Sequence, residues 1–572
     1  MKLSIATFSL GLVAPLVAAG YIPEPQPVKS CVEVTAIYYP GIDKMSEWDM
    51  IRQVYPDWEP LLGWYDEGNP ENVDWQIKWA VEHGISSFCV DWYWCRGVQR
   101  FDHWVKAFQQ ARFRKYLKWY LHWCNHNDPG AHSREDQKAV TEFWIENYFK
   151  TPEYYKDETG RPLVVIYETW TNIERDFAEV LRKEGKEPLP GDGLKCALDI
   201  SRELARKAGL PGIRFGCFVA QGRKDAEMAI LEKAGIEELF QYVFAWPEMI
   251  DEVSGGEATA HVDRSASGDR WRYDYSLLSR LSRTWWTRNW NAKIPYWPPL
   301  STGWDSTPRT FDWGGRIENR TPCDFRNICE DAKAFCQETG CRKVLLGPVN
   351  EWQEGSFIEP ESRYGFSMYD AVRDVFCEKP PDGWPANLTP QSIGRPNPQL
   401  PDMERPDRTS WDFDDGVQGW YRNPYGAQTI RAHDGVLEFF RTFAGRSVAS
   451  IRSRPKPFAA DRFRALNVRM RLVAKPEGGK GLPTGNEKVR LMWGREGHPI
   501  LAPGGRLDVS AFAETPAFVD GEWHWYELPL EGNPQWSSTI DELWFDPSDL
   551  ANVNVEIDEM SFEKTPSGEM TK

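Results

Sequence analysis

The first two thirds of the chain alternate short apolar runs with longer segments in which apolar residues recur at helical spacing. The apolar runs predict strands at Val32–Tyr39, Ser86–Trp94, Leu117–Asn125, Leu163–Glu168, Arg214–Ala220, Leu239–Ala245, Ile294–Leu300 and Lys343–Asn350. The longer segments predict helices at Val73–His83, His103–Arg112, Arg134–Tyr148, Leu194–Ala208, Ala226–Ala234, Tyr275–Trp290, Asp324–Thr339 and Met368–Phe376. Alternating strands and helices favour an α/β fold with a parallel sheet, and eight such units predict a (β/α)8 TIM barrel over residues 30–378. A doubly wound open sheet is the alternative, but no glycine fingerprint follows the first strand.

The pattern changes after residue 378. Residues 379–408 are rich in Pro, Asn and Asp, which predicts a linker. From 409 to 565, short alternating runs are separated by Gly, Pro and Asn, as is typical of an all-β sandwich. We therefore predict a smaller, jelly-roll-like domain with strands near Arg464–Leu472, Val489–Trp493, Trp523–Leu530 and Val553–Phe562.

The first 19 residues have the three parts of a secretory signal. Lys2 supplies positive charge, Leu3–Leu16 is an apolar stretch too short for a membrane span, and Val17–Ala19 is a small-residue cleavage site. We predict that residues 1–19 are a signal peptide and that the protein is secreted or periplasmic. The alternative is a buried N-terminal strand. The remaining sequence contains no second candidate for a membrane span.

The net charge narrows the classes of partner, and the cysteines bear on disulfides and metal sites. A net charge of −17 weighs against nucleic acid and anionic membranes, which both favour Lys and Arg patches. Eleven cysteines, an odd number, leave at least one without a partner in this chain. Cys323, Cys329, Cys336 and Cys341 are too widely spaced for a zinc cluster, although the last two are open to a disulfide. We expect a monomer without a catalytic metal or other cofactor.

Polar and aromatic side chains follow the predicted strands where each strand ends, which in a TIM barrel is the functional rim. Carboxylates and amides bind sugar hydroxyls, and indole rings stack on sugar faces, so these positions and the 29 Trp indicate a carbohydrate cleft. The predicted substrate-binding residues are Tyr38, Tyr39, Asp91, Trp92, Trp94, Trp123, Asn125, His126, Asn127, Glu168, Trp246, Trp304, Asp305, Arg309 and Trp352. His122, Cys124 and His126 would share one strand face, which also suggests a metal. We expect instead that His126 contacts sugar and that Cys124 is buried packing.

Glu351 and Glu354 follow the most apolar strand and are the candidate catalytic pair. Hydrolysis of a glycosidic bond generally requires two carboxyl groups in different protonation states. On a continuing strand, residues three apart lie roughly 10 Å apart on opposite faces, so the chain must turn between them, as Gly355 permits. The alternative is that one glutamate pairs with an arginine such as Arg309, and Glu168 would compete as the acid.

The segment Asn350–Pro360, Asn-Glu-Trp-Gln-Glu-Gly-Ser-Phe-Ile-Glu-Pro, resembles the signature of glycoside hydrolase family 99 and its WbsX-like relatives. Further segments resemble motifs of that family in matching order: Tyr38–Pro40, Phe88–Trp94, Trp123–Asn127, Gly303–Arg309 and Arg363–Phe366. The resemblance spans about Val32 to Cys377. Gln353 and the flanking motifs are closer to the WbsX-like branch.

Family 99 enzymes are retaining endo-acting α-mannosidases or α-mannanases that proceed through a 1,2-anhydro sugar. The resemblance implies that Glu351 assists deprotonation of the substrate 2-hydroxyl, which attacks C1 internally. It also implies that Glu354 is the general acid for the leaving oxygen and then the base for incoming water. That division needs a raised pKa on Glu354, which an apolar wall would supply. We therefore expect a secreted retaining glycoside hydrolase acting on an extracellular polysaccharide or glycan, of α-mannoside type if the family's substrate carries over.

Two other functions stay open: a non-catalytic carbohydrate-binding protein on a barrel scaffold, and a glycan-modifying transferase, because WbsX-like proteins also occur with polysaccharide biosynthesis. In the sandwich, five tryptophans form either a carbohydrate-binding face or part of the core: Trp420, Trp493, Trp523, Trp525 and Trp544. Asp412, Asp414 and Asp558 are candidate ligands of a structural Ca²⁺, which takes oxygen ligands.

Overall fold

A computed structural model describes residues 21–127, 129–167, 170–219, 225–242, 247–255, 262–263, 270–290, 293–310, 315–397, 399–423, 427–441, 450–476 and 481–566. The predicted signal peptide, and with it the alternative of an N-terminal strand, lies outside these ranges.

The N-terminal domain is a nearly closed parallel barrel of eight strands. They are β1 Glu33–Tyr38, β2 Ile85–Cys95, β3 Lys118–Trp123, β4 Leu163–Ile166, β5 Arg214–Phe218, β6 Glu238–Phe240, β7 Pro299–Leu300 and β8 Lys343–Pro348. The order around the sheet is β7-β8-β1-β2-β3-β4-β5-β6, and a parallel bridge between Leu239 and Tyr296 links β6 to the segment before β7. The predicted TIM barrel is confirmed.

Helices surround the barrel. They are α1 Met45–Val54, α2 Pro70–Glu82, α3 His103–Gln110, α4 Arg134–Trp144, α5 Trp170–Lys183, α6 Asp192–Lys207, α7 Asp225–Ala234, α8 Pro247–Ser254, α9 Tyr275–Asn289, α10 Thr307–Thr310, α11 Pro322–Thr339 and α12 Ser367–Phe376. Every predicted helix has a counterpart here, whereas α1, α5, α8 and α10 were not predicted. In α5, Ile173, Phe177 and Leu181 recur every four residues on the buried face, a helical pattern that the sequence already contained.

Most barrel strands are shorter than predicted. β4 ends at Ile166, β6 ends at Phe240, and β7 contains only Pro299 and Leu300. Tyr167 and Tyr242 follow the ends of β4 and β6 and extend the aromatic and apolar character of the sequence outside the strands, and β7 begins five residues after the start of its apolar run at Ile294. Strand length therefore cannot be read from apolar character alone, since a buried loop has the same composition.

The C-terminal domain is a sandwich of two antiparallel sheets, as predicted. Its strands are β9 Ser410–Trp411, β10 Trp420–Arg422, β11 Ala427–His433, β12 Val436–Arg441, β13 Ile451–Ser453, β14 Phe458–Ala459, β15 Phe463–Ala474, β16 Lys488–Arg495, β17 Leu501–Ala502, β18 Arg506–Leu507, β19 Phe512–Pro516, β20 Trp523–Pro529, β21 Thr539–Asp546 and β22 Val553–Lys564. One sheet has the order β11-β12-β22-β15-β20 and the other β10-β13-β21-β16-β19. A core of its own fills the space between the sheets.

The five sandwich tryptophans separate into two groups. Trp420, Trp493 and Trp544 are buried, whereas Trp525 is 58% exposed and Trp523 is half-buried. Of the predicted calcium ligands, Asp558 pairs with Arg469, and Asp412 accepts a hydrogen bond from Gln418. The calcium site stays a prediction.

Two further findings concern the whole chain. The eleven cysteines are free thiols, including Cys336 and Cys341, whose side chains contact each other. No helix within the described ranges is long and apolar enough to cross a membrane.

Candidate active site

A cavity of about 420 Å³ opens at the C-terminal ends of the barrel strands. Its position is the one at which TIM barrels carry their functional residues. The residues that line it are Asp91, Tyr93, Arg100, Cys124, His126, Tyr167, Gln241, Tyr242, Met249, Trp304, Arg309, Glu351 and Glu354. Both members of the candidate catalytic pair are therefore in one cavity, together with four of the predicted substrate-binding residues, Asp91, His126, Trp304 and Arg309.

A tight turn brings Glu351 and Glu354 to the same cavity. Asn350 and Glu351 pair with Ser356 and Phe357 in a short antiparallel ladder, and a 3₁₀ turn over Trp352–Glu354 connects the two sides. Gly355 ends the turn with φ +62°, and a Cβ there would lie 2.7 Å from the Cβ of Asp305. Glycine is required at this position both for its backbone conformation and for this close approach.

Glu351 lies among other acidic and phenolic groups. The Tyr242 hydroxyl donates a hydrogen bond of 2.6 Å to its Oε2 and lies 3.4 Å from Oδ2 of Asp91. Burial, followed by the negative charges of Glu354 and Asp91, raises the pKa of Glu351 well above its ordinary value of 4.5. These surroundings therefore favour the protonated form of Glu351.

Glu354 lies beside a cation. Its Oε1 accepts a hydrogen bond from Arg309, which the short helix α10 presents to the cavity. Burial raises the pKa of Glu354, and the Arg309 guanidinium opposes that rise. The ion pair that the sequence left as an alternative reading is thus present, at a glutamate that also lines the cavity.

Asp305 supports Glu354 from outside the cavity. Its backbone N–H donates a hydrogen bond of 2.7 Å to the carbonyl of Glu354. Its carboxylate accepts a hydrogen bond of 2.9 Å from the backbone N–H of Thr307, which is the first residue of α10. The Tyr55 hydroxyl donates to the same carboxylate at 2.7 Å. Asp305 therefore fixes the positions of Glu354 and of the helix that carries Arg309.

Four of the predicted tryptophans are core residues. Trp92 and Trp123 are fully buried and pack against Trp144 in α4, and Trp94 donates a hydrogen bond to Asp136. Successive side chains on a strand point to opposite faces. Because Asp91 faces the cavity, Trp92 and Trp94 must face the helices. The fourth, Trp352, is buried and stacks on Phe357.

The remaining predicted residues lie near the cavity or away from it. Tyr38 is buried and bonded to Gln76, and Asn125 is also buried. Asn127 donates to the carbonyl of Trp94, and the backbone N–H of Tyr39 donates to the Asn350 side chain. Glu168 and Trp246 lie outside the described residues.

Several lining residues were not predicted. Tyr167 directly follows the last residue of β4. Tyr242 lies two residues after the last residue of β6. The predicted strands continued to 168 and 245, which moved the expected rim residues to Glu168 and Trp246. Tyr93 was missed although it alternates with Asp91 on β2, and strand alternation was the signal that would have found it. Arg100 reaches the cavity from a short hairpin strand, Val98–Arg100, which has no apolar pattern.

A second polar layer lies beneath the turn. The Asn350 amide donates to Glu67, and Glu359 accepts from Tyr65 and Trp352. Burial raises the pKa of both carboxyls, Glu67 and Glu359, to about 7. The Trp352–Glu354 turn thus stands on two buried carboxyls whose pKa is raised by burial.

One group of side chains at the cavity base has the geometry to hold a metal ion. Among the residues that the structure describes, Asp91, His122 and Cys124 place ligand atoms within 4.8 Å of one another. Asp91 Oδ1 is hydrogen-bonded to His122 Nδ1 at 2.6 Å, so a cation would have to replace this contact. His126, which the sequence grouped with them, packs instead against the Tyr167 ring, 4.3 Å away. The expectation of no catalytic metal remains a prediction.

The model of the family described as glycosyltransferase WbsX matches residues 52–372, a span that contains the cavity and the Trp352–Glu354 turn. The chain belongs to this family. Uncharacterized protein WxcX of Xanthomonas campestris pv. campestris strain B100 is 23% identical over 359 residues, which are 59% of this chain and 46% of WxcX. The chain thus spans about half the length of this curated relative.

Two solved structures are similar to the barrel. A GH99 endo-α-mannosidase from Bacteroides thetaiotaomicron has a TM-score of 0.39 and 15% identity over 60% of this chain and 95% of its own. A glycoside hydrolase-like protein has a TM-score of 0.42 and 13% identity over 63% of this chain and 98% of its own.

Proposed function

We propose that the protein is a secreted retaining glycoside hydrolase that cleaves a glycosidic bond in an extracellular polysaccharide or glycan. The observation that carries this proposal is a pair of buried carboxyls in one cavity whose surroundings differ in charge. Glu351 faces Asp91 and Tyr242, whereas Glu354 faces Arg309. Two carboxyls with unequal proton affinity are what glycosidic bond cleavage requires.

The division of labour that follows from family resemblance requires the proton on Glu354, and burial raises the pKa of Glu351 as well as that of Glu354. A bound sugar directs the proton to Glu354. A sugar hydroxyl that donates to Glu351 stabilises its carboxylate, and a leaving oxygen that displaces Arg309 removes the cation from Glu354. The proton then belongs on Glu354, where it protonates the leaving group, and Glu351 deprotonates the 2-hydroxyl.

The leaving group separates the two roles experimentally. An aryl glycoside with an acidic phenol as leaving group needs no general acid. We expect Glu354→Gln to lose cleavage of a natural glycan by at least about 100-fold and to retain most cleavage of the aryl glycoside, the range typical of general acid catalysis. Glu351→Gln should lose both. If Glu351→Gln retained aryl glycoside cleavage and Glu354→Gln did not, Glu351 would be the general acid and Glu354 the base.

Glycosyl transfer is a second candidate, because the matching family is described as a glycosyltransferase. Both reactions use the same pair, and they differ in whether water or a sugar hydroxyl accepts the glycosyl group. Product analysis of the purified protein with glycan alone, and with glycan plus an excess of free sugar acceptors, distinguishes them. Hydrolysis products that dominate in both mixtures support the hydrolase. Absence of any product with either mixture would leave the third reading, a non-catalytic carbohydrate-binding protein.

A further inference from the structure

Helix α1 lies between the catalytic turn and the C-terminal sandwich. It contacts the Trp352–Glu354 turn and α10 on one side, and the Leu501–Ala502 strand and the Pro503–Gly505 turn of the sandwich on the other. The Pro503–Gly505 turn also lies against α10, the helix that carries Arg309. Helices α1 and α10 both contact the Trp352–Glu354 turn, and both also contact the sandwich domain.

Glu47 of α1 connects the two sides directly. Its Oε2 accepts a hydrogen bond of 2.9 Å from Gln353, the residue between the two turn positions Trp352 and Glu354. Its Oε1 accepts a bond of 3.1 Å from Arg422 of the sandwich. Glu47 and Gln353 are both buried. A carboxylate in this position requires a cation, and the nearer of the two beside it is Arg422 of the sandwich, at 3.1 Å, whereas Lys44 lies 3.9 Å away.

The next acidic residue of α1 is held mainly by the sandwich, with one further hydrogen bond of 2.6 Å from Gln53 of α1 itself. Asp49 is buried and accepts from Arg452 at 3.3 Å, from Arg454 at 2.9 Å and from the Tyr421 hydroxyl at 3.1 Å. Arg452 is itself fully buried. Ion pairs of this kind require accurate geometry because their desolvation is costly, so they fix the helix in one position.

An apolar cluster completes the contact. Met50 and Val54 of α1 pack with Met492, Ile500 and Trp544 of the sandwich. Trp544, one of the tryptophans considered for sugar binding, is used here to hold the two domains together. The contact contains hydrophobic burial as well as paired charge, whereas a module on a flexible tether needs neither.

We propose that the sandwich is a positioning part of the catalytic unit: Arg422, acting through Glu47 and Gln353, holds the turn that carries Glu354. Arg422 does not touch the cavity, so it is a positioning residue and not a catalytic one. This inference rests on the proposed function for its kinetic measurement only, because the position of the turn can be followed without a substrate.

The test compares Arg422→Ala with Arg431→Ala in the full-length chain. Arg431 is a matched control, because it lies in the same domain on the opposite sheet and forms an exposed ion pair with Glu438. Hydrogen–deuterium exchange is measured on peptides covering residues 347–360, with peptides from β3 and β15 as references. We expect the amide hydrogens of residues 347–360 to exchange faster than in the wild type in Arg422→Ala but not in Arg431→Ala. We also expect kcat to fall by about 10- to 100-fold with little change in KM, since misplacement of a catalytic group by about 1 Å has effects of this size.

A double-mutant cycle with Glu47→Gln shows whether Arg422 acts through Glu47. The effects on exchange and on kcat should be markedly less than additive in Arg422→Ala/Glu47→Gln. If Arg422→Ala does not fold, Glu47→Gln removes the same connection from the barrel side. Unchanged exchange at 347–360 in both single variants would overturn the proposal, as would exchange that rises equally in β3 and β15. Altered exchange in a protein without glycosidase activity would retain the positioning role and reject the proposed function.

Discussion

The Tyr242 hydroxyl donates a hydrogen bond of 2.6 Å to Glu351 while it lies 3.4 Å from Asp91. One phenol thus separates two carboxyls that would otherwise repel each other across the cavity base. Burial raises the pKa of Tyr242 well above its ordinary range, so it remains a donor throughout the working pH range.

Tyr242→Phe should make Glu351 harder to ionise. The hydroxyl stabilises the Glu351 carboxylate, so its removal raises the pKa of Glu351 further. A higher pKa means that a higher pH is needed to ionise the group. The acidic limb of the kcat/KM profile should therefore move to higher pH by about one unit, the size expected for a hydrogen bond to a charged group.

Tyr116→Phe is the control for that shift, because Tyr116 donates to Glu24 at the surface and takes no part in the site. Its profile should overlay the wild-type profile. An acidic limb that stays in place in Tyr242→Phe, or moves to lower pH, would contradict the role of Tyr242.

Arg309→Met should move the other limb. The guanidinium lowers the pKa of Glu354 against the effect of burial, so its removal raises that pKa. As the general acid, Glu354 is active while protonated, and a raised pKa extends the protonated range. The alkaline limb of the kcat/KM profile should therefore move to higher pH. Arg283→Met, which breaks an exposed pair with Glu338, is the control and should leave the profile unchanged.

The fold and the placement of Glu351 and Glu354 in one cavity could be predicted from the sequence because both depend on local patterns. The alternation of apolar runs and helical segments predicts the barrel, and the Asn350–Gly355 motif predicts the turn. Trp92 and Trp94 show where prediction failed. Both stand at a strand end among polar residues, but the alternation of strand side chains directs them to the helix layer once Asp91 faces the cavity.

Contacts between distant segments could not be predicted. Tyr242 and Arg100 reach the cavity only because the barrel closes around it, and neither stands in a distinctive motif. The role of Glu47 is harder still to predict. It depends on helix α1, which was not predicted, and on Arg422 in another domain. Such contacts arise from tertiary packing and leave no periodic signal in the sequence.

The buried carboxyls beneath the turn should make the protein more stable in mildly acidic solution. The pKa of Glu67 and of Glu359 is about 7 in the folded protein, against an ordinary value of 4.5. A carboxyl with a raised folded pKa stabilises the fold fully below its unfolded pKa, and that contribution is lost as pH rises through the folded pKa. Each group should therefore cost on the order of 3 kcal/mol of unfolding free energy between pH 4.5 and 7.

Urea unfolding at several pH values measures this slope. Glu359→Gln has no proton to lose and should show a flatter dependence than wild type, whereas the exposed Glu203→Gln should retain the wild-type slope. Stability that rises with pH between 5 and 7 in the wild type would show that these carboxyls are ionised in the folded protein.

The half-buried Trp523 and the exposed Trp525 are the remaining candidates for glycan binding by the sandwich. The two residues share one face of β20, opposite Arg471 and Arg469 of β15, and Trp525 is 58% exposed. An indole ring so placed can stack on a sugar face while the arginines donate to hydroxyls. Trp525→Ala should therefore weaken binding to soluble polysaccharide by about 3- to 10-fold in affinity electrophoresis, the range given by one aromatic contact. Leu482→Ala, a similarly exposed apolar residue, is the control. Equal mobility of wild type and Trp525→Ala in every polysaccharide gel would leave the sandwich with its structural contact to α1 alone.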